Sequence, residues 1–395
     1  MEYYDKTTQS PRYIIMYGFA FGLASAVLNY NRQPELLVEA MRCLFLCACS
    51  HIYDDHLTLE PSTSQGSGQA SYVKLCTLIG ICLDKDKHKE MRPVFLFTGC
   101  RFDTSLALSR GRFALSPKPG RLEKIISTFS DIRAFDGLTS QDAAEIRGKV
   151  GFVSMQLQGR ALRYVDGPLV ERQYSTTGED DVTPELDNAL IFIEEAFRRL
   201  PTKTVELKAE EGIVLLYSDA AYEDDKPISY GWVCYVPGSQ PTWGADTILS
   251  ATQDFLKQRK TQIYMGELLA AVSALWSNRE VLKGRRVLHF IDNQPALATL
   301  ISGAAKDFDS AASAFLFHLA SIEIEAKVWL EYVDSDANVS DGPSRLLDAW
   351  ALSDLCKRLG ARKAKTVLPD LTEFLKSGKF SGEAYDMLLT LARAK

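Results

Sequence analysis

Apolar runs of strand length alternate with stretches of helical periodicity through the second half of this chain, and acidic residues stand where one gives way to the other. Ile213-Val214-Leu215-Leu216-Tyr217 has the make-up of a buried strand and ends on Ser218-Asp219. Leu268, Leu269, Val272, Leu275 and Trp276 recur at helical spacing, which predicts a helix with Glu267 at its start. Val287-Leu288-His289-Phe290-Ile291 predicts a second strand, with Asp292 at its turn into the next helix. The loop from Asp334 to Ser340 leads to Asp341, which opens a further helix. Carboxylates at strand ends and helix starts converge at one end of a sheet, where open α/β folds put their sites.

The first half is less regular. Val27 to Phe45 reads as helix, and Ser50 to Leu59 as two short strands joined by a turn at Asp54 and Asp55. Residues 61–70, rich in Ser, Gly and Gln, read as a flexible loop. A helix-and-strand unit ends in the run Val94 to Asp103, Phe113 to Ser116 reads as its return strand, and helical patterns cover Arg121–Ser130 and Ser140–Tyr164. An acidic, Thr/Gly-containing linker, Ser175 to Glu185, precedes an amphipathic helix, Leu186–Leu200. After Arg345 the chain reads as helices, with a break around Pro369.

Each acid alone has an ordinary explanation. Asp at a strand end is a turn former or helix cap, and Glu in a first helical turn meets the macrodipole. As an ordered set, Asp219, Glu267, Asp292 and Asp341 suit a pair of divalent cations roughly 3.5–4 Å apart that clamp the attacking and leaving oxygens of a phosphodiester. Oxygen-only ligands favour Mg²⁺ or Mn²⁺ over zinc.

The 395 residues and 46% hydrophobic content suit two or three domains with ample core. A net charge of −6 lacks the basic footprint usual in nucleic-acid enzymes, but the charge is uneven. Arg101, Arg110, Arg112, Lys118, Arg121 and Lys124 face only Asp103 and Glu123 over the same stretch. Lys357, Arg358, Arg362, Lys363 and Lys365 form a second basic group. Phosphate-facing grooves and solvated helix faces both account for such groups. The eight cysteines show no paired zinc-ligand spacing and read as reduced thiols of an intracellular protein. The apolar stretch Ile14 to Leu28 is shorter than the ~20 residues a membrane span needs. The sequon Asn338-Val339-Ser340 falls in the candidate loop, which argues against secretion. No membrane association is expected, and the oligomeric state stays open.

The order of elements (strand-Asp, hairpin, strand, helix with Glu, strand-Asp, helices, strand, helix opened by Asp) resembles the ribonuclease H fold in the form carried by retroelement reverse transcriptases. The residues that carry the resemblance are Ser218-Asp219-Ala220, Gly266-Glu267-Leu268-Leu269-Ala270, Asp292-Asn293 and Asn338-Val339-Ser340-Asp341-Gly342-Pro343-Ser344-Arg345. The last string is similar to the N-x-x-D-x-x-S-R ending of many such domains. The resemblance implies a site of four metal-binding acids that cuts RNA in RNA–DNA hybrids. Retroviral relatives carry a histidine before the last acid, where this chain offers Asp334 and Asp336.

Upstream, Phe21-Gly22-Leu23-Ala24-Ser25-Ala26 resembles the F-G-x-x-S-A element of a reverse transcriptase palm, and Tyr53-Asp54-Asp55 its Y-x-D-D element without the spacer. With Ile52 in the tyrosine position the two aspartates still align. Asp54 and Asp55 would then bind polymerase metals, and Arg147, Lys149, Arg160 and Arg163 on thumb-like helices would grip a primer-template. The expected earlier palm aspartate is missing, since only Glu2 and Asp5 precede, and so is the fingers region. The chain is therefore expected to be an N-terminally truncated retroelement reverse transcriptase without polymerase activity. Its expected fold is α/β and α+β. A partial palm (1–116), thumb or connection helices (117–174), and a linker with bridging helix (175–204) precede a ribonuclease H-like domain (205–350) on a mixed five-stranded sheet and a helical tail (351–395). The alternatives are a non-catalytic RNA- or protein-binding scaffold and, more remotely, a related nuclease or integrase-like transposase.

Overall fold

The computed structural model describes residues 2–5, 7–13, 24–157, 159–176, 180–199, 202–207, 212–224 and 226–377. The chain divides into two compact units, Met1–Leu108 and Ser109–Lys395. In the first, β1 (Glu2–Asp5) pairs antiparallel with β2 (Ser10–Tyr13). Helix Ala24–Phe45 leads into the hairpin of β3 (Ala48–Ile52) and β4 (Asp55–Leu59). Helix Ser67–Leu78 and the antiparallel pair β5 (Val94–Phe97) and β6 (Cys100–Asp103) follow. Leu37, Val38, Met41, Cys47, Cys49, Tyr72 and Cys76 form a small core. The Phe21-Gly22-Leu23 part of the palm-like element lies outside the described residues. The loop expected over 61–70 is cut short, because helix begins at Ser67. Glu60 explains this: its carboxylate accepts the Gly68 N–H at 2.9 Å and so satisfies a first-turn amide.

In the second unit, β7 (Arg112–Pro117) pairs antiparallel with β8 (Lys203–Glu206). Helices Arg121–Phe135, Ser140–Leu157, Asp166–Gln173 and Pro184–Arg199 lie between them in sequence. The helix expected over Ser140–Tyr164 stops at Leu157. Gly159, at φ 62°, takes a left-handed conformation that a continuing helix excludes, and Ala161–Val165 resumes as a 3₁₀ turn.

Next comes an antiparallel meander of β9 (Val214–Ala221), β10 (Ser229–Tyr235) and β11 (Thr242–Thr247). β12 (Arg286–Ile291) runs parallel to β9, and β13 (Lys327–Tyr332) parallel to β12. β14 (Arg362–Lys363) pairs parallel with β11, completing the order β13-β12-β9-β10-β11-β14. The sheet thus has six strands where five were expected. The sixth comes from the tail read as helical, and it is set by long-range bonds rather than local pattern: Arg362 N–H to Pro241 O (2.9 Å) and Ala364 N–H to Trp243 O (2.8 Å).

Alternation sorts the sheet residues into two faces. Val214, Leu216, Ser218 and Ala220 share one with Val287, His289 and Ile291, all buried. Helix Ile263–Ser277 covers this face and is buried from Met265 to Trp276, so it is packed on all sides rather than on one, and it begins a turn before Glu267 rather than at it. A Cβ on Gly266 would stand 2.9 Å from the Ala220 Cβ, so glycine lets Glu267 come up beside β9. Helix Phe308–Glu323 packs behind, and Phe315 meets Phe192 of helix Pro184–Arg199 edge-on at 5.3 Å. Ile125, Phe129, Leu138 and Leu169, from before Ser175–Glu185, lie in the same buried core as the sheet and the helices after it. On the other face, Trp350 and Cys356 pack against Val233 and Trp243 of β10 and β11. Among the described residues, no helix is long and apolar enough to cross a membrane.

Candidate metal centre

Strand pairing brings two of the acids together directly. β9 and β12 are parallel neighbours, so Asp219 near the end of one and Asp292 just past the other project at the same sheet end. Glu267 arrives from the helix across the sheet, and its Oε1 accepts the Ala220 N–H at 3.4 Å. One oxygen from each of Asp219, Glu267 and Asp292 lies within 4.8 Å of the other two. Asp219 and Glu267 are buried, and Asp292 is half-buried.

Three carboxylates this close repel one another, and burial denies them water. Burial, then the nearby Asp292 and Asp341 carboxylates, push Asp219 up to about 7. The Ser344 hydroxyl, which donates to Asp219 Oδ2, works against that rise. Burial, followed by Asp219 and Asp292, holds Glu267 well above the usual carboxylate range. Glu267 Oε2 is buried with no hydrogen-bond partner, a costly state for a carboxylate oxygen. An orphaned oxygen, mutual repulsion and an all-oxygen donor set fit a hard divalent cation such as Mg²⁺ or Mn²⁺.

The fourth acid departs from expectation. Asp341 opens helix Asp341–Leu346, near enough to raise Asp219, yet it stands outside the converging set. Arg345, one turn on, donates from Nε to Asp341 Oδ1 at 2.5 Å. An aspartate and an arginine four apart on a helix face each other, and here that local pair takes the carboxylate. Asp334 and Asp336 are exposed on the loop before it. Asp54 and Asp55 occupy the tip of the β3–β4 hairpin, both exposed, and no third acid joins them among the described residues.

The basic residues are largely engaged within the chain. Arg147 donates to both Asp166 oxygens (2.9 and 3.0 Å) and to Gln173. Arg160 donates to the Ile301 carbonyl, Lys149 pairs with Glu145 at 2.5 Å, and Arg163 lies 3.9 Å from Asp166. Arg101 pairs with Asp103 at 3.3 Å, and Arg121 stacks over Phe152 at 4.8 Å. Arg110, Lys118 and Lys124 are exposed, and Arg112 is half-buried on β7. A groove of about 360 Å³ runs beside Arg147, Gly148, Gly151 and Met155, and none of the three converging carboxylates lines it.

Several supporting residues carry no signal as individuals in the sequence. Ser344 braces Asp219, and a Cβ on Gly231 would stand 2.5 Å from the Ser344 amide, so glycine admits that helix to β10. His289 is fully buried, which pushes it down to about 3, and its Nε2 lies 2.9 Å from Ser218 Oγ. Buried Asn338 donates to the Ser218 carbonyl at 3.2 Å and takes the Ser340 N–H at 3.2 Å, tying the loop to β9. The serine and asparagine of the N-x-x-D-x-x-S-R string thus anchor the chain around the acids.

Fold and site together describe a mixed α/β domain with a buried acidic pocket at the carboxyl ends of its central parallel strands. No protein-family model matches the chain, and neither does any curated protein. Among solved structures it is similar to an RNase H1 from the halophilic archaeon Halobacterium salinarum NRC-1, with 19% identity over 33% of this chain and 91% of that one, at a TM-score of 0.26. It is also similar to the N-terminal RNase H domain of a Mycobacterium tuberculosis protein fused to maltose-binding protein. There the identity is 12% over 36% of this chain and 98% of that one, at a TM-score of 0.25.

Proposed function

We propose that the domain on β9 to β14 is a divalent-cation-dependent ribonuclease H that cleaves the RNA strand of RNA–DNA hybrids, within a chain of retroelement reverse-transcriptase type. The observation that carries this reading is the convergence of Asp219, Glu267 and Asp292, with one buried carboxylate oxygen left unpaired. Bound there, Mg²⁺ or Mn²⁺ supplies Lewis acidity and activates water for attack on phosphorus. Asp219, Glu267 and Asp292 would hold the cations, and the Ser344 hydroxyl, donating to Asp219 Oδ2, fixes that carboxylate. Asp341, paired with Arg345, would add a fourth carboxylate if it exchanged that partner for a cation, and Arg345 would then be available to a substrate phosphate. Water adds at phosphorus and the bond to the 3′-oxygen breaks, leaving a 5′-phosphate and a 3′-hydroxyl. Contacts to 2′-hydroxyls select the RNA strand, and exposed Lys118, Lys124 and Arg110 are candidates for backbone contacts.

Polymerisation is not part of this reading. Asp54 and Asp55 lie on one hairpin, and phosphoryl transfer by two metals needs ligands from both sides. One observation favours a second reading: Arg345 neutralises Asp341, as it would in a scaffold that binds RNA or protein without cutting.

Cleavage of a labelled RNA–DNA hybrid in Mg²⁺ tests the proposal. Asp292→Asn keeps the size of the side chain and removes a cation-binding charge, so activity should fall at least ~10³-fold, in line with a loss of several kcal/mol. Equal cleavage by wild type and variant would remove the site, and no cleavage by well-folded wild type would leave the scaffold.

A further inference from the structure

The face of the sheet that carries Asp219 is only half covered. Trp350 and Cys356 pack over β10 and β11, with Tyr217 of β9 at the margin of that cover, and helix Asp341–Leu346 lies against β10 and β9. β13 is the sheet edge, and nothing comparable lies over β12 and β13 among the described residues. Side chains two apart on a strand share a face. Tyr217 therefore shares one with Asp219, and Phe290 with Asp292. Tyr217 and Phe290 are register partners, stacked at 4.7 Å with 18° between their rings. One step back, Leu288 stands between Leu215 and Trp329, whose indole is 68% exposed. A further step back, Arg286 and Lys327 are register partners, both exposed.

We propose that this open face of β9, β12 and β13 is a stacking track for a single nucleic-acid strand leading to the acid pocket. The inference rests on the nuclease reading for its destination. It rests on the register for its path: cations at one end, aromatic rings between, and the carboxylates at the other, over about 20 Å of strand. Aromatic platforms edged by basic residues bind single strands without sequence preference, because every base has a stacking face. Paired bases in the hybrid hide those faces, so the occupant is an unpaired run that adjoins it. Glu331, also on β13, accepts the Trp329 indole N–H at 3.1 Å and holds the ring in place. Its charge opposes a phosphate, so the pair has to loosen as the strand binds.

The fluorescence of the protein makes this testable. Trp232, Trp243, Trp276 and Trp350 are buried, leaving Trp329 as the exposed tryptophan. In EDTA, where no cleavage occurs, a 12-nucleotide oligouridylate should shield Trp329 from acrylamide in the full-length chain. Trp329→Ala should weaken binding of the labelled oligouridylate about tenfold, the loss of one stacked base. Arg286→Gln with Lys327→Gln should lower the log-affinity against log-salt slope by about 1.4, two phosphates at ~0.7 each. Unchanged quenching at saturating oligouridylate, or equal affinity of Trp329→Ala, overturns the proposal. So does shielding by a strand-forming (Thr-Val)₄ peptide but not by the oligonucleotide, which would make β13 a docking edge for polypeptide. Cleavage assays keep the two readings apart. If wild type and Trp329→Ala cut an overhanging hybrid equally well, the track fails and the nuclease stands; shielding without any cleavage supports the track and removes the nuclease.

Discussion

The hairpin of the first unit and the sheet of the second both place acids at strand ends, under opposite conditions. Asp54 and Asp55 are adjacent in sequence at a turn open to water, where solvent and salt screen one charge from the next. Asp219, Glu267 and Asp292 are far apart in sequence, and two of the three are buried. Bringing them together costs desolvation and repulsion, visible in the upward shifts of Asp219 and Glu267. Adjacency in sequence is therefore a poor guide to a cation site, and convergence against an electrostatic cost is a better one.

The largest test of this contrast sets the two acid groups side by side. Where Asp292→Asn removes hybrid cleavage, an Asp54→Asn, Asp55→Asn double variant should cut at the wild-type rate within about twofold, a change of under ~0.5 kcal/mol. A comparable loss in both variants, measured as single-turnover cleavage, would erase the distinction.

Stability should separate the regions next. The folded-state affinities of Asp219 and Glu267 for protons are raised, so their contribution is fully present below the ordinary carboxylate range. It is lost as pH rises, for Asp219 through about 7. His289 is lowered to about 3, so its contribution is present above ~6.5 and lost as pH falls from there. The window from pH 6.5 to 8 isolates the carboxylates. In EDTA the second unit should lose on the order of a few °C in Tm across it, and Mg²⁺ should flatten the slope by replacing protons. A Tm in EDTA that rises over that window would contradict the geometry of the pocket.

A smaller effect is expected from Arg345→Gln, which frees Asp341. The Mg²⁺ concentration for half-maximal cleavage should fall a few-fold, since one competing cation is gone and one carboxylate is gained, worth about 1 kcal/mol. No change, or weaker Mg²⁺ dependence, would place Asp341 outside the site. The smallest effect belongs to the hairpin. Tyr53 adopts φ 53°, a left-handed conformation that asparagine tolerates better. Tyr53→Asn should stabilise the first unit by about 0.5 kcal/mol in urea unfolding and leave cleavage untouched.

Much of the local structure follows from the amino-acid sequence alone. Apolar runs of strand length announced β9 and β12, and helical spacing announced the helix that carries Glu267, although it starts a turn earlier, at Ile263. The hairpin was legible too, with its turn at Tyr53 and Asp54, one residue before the expected pair. Interactions within a few residues set those features, and period and turn chemistry report them. Where the chain meets itself at long range, sequence pattern says less. A two-residue strand such as β14 has no period to read, and only its bonds to the start of β11 create it. Helices on both sides of the acidic linker share one core, in which Ile125, Phe129 and Leu169 from before it are buried in the same cluster as Phe192 and Phe315 from after it, residues far apart in the chain. The four acids were legible as residue types, but only tertiary structure decided that three converge while the fourth turns to Arg345. That choice depends on distances and burial, through which charges compete for one another, and neither exists until the sheet has closed.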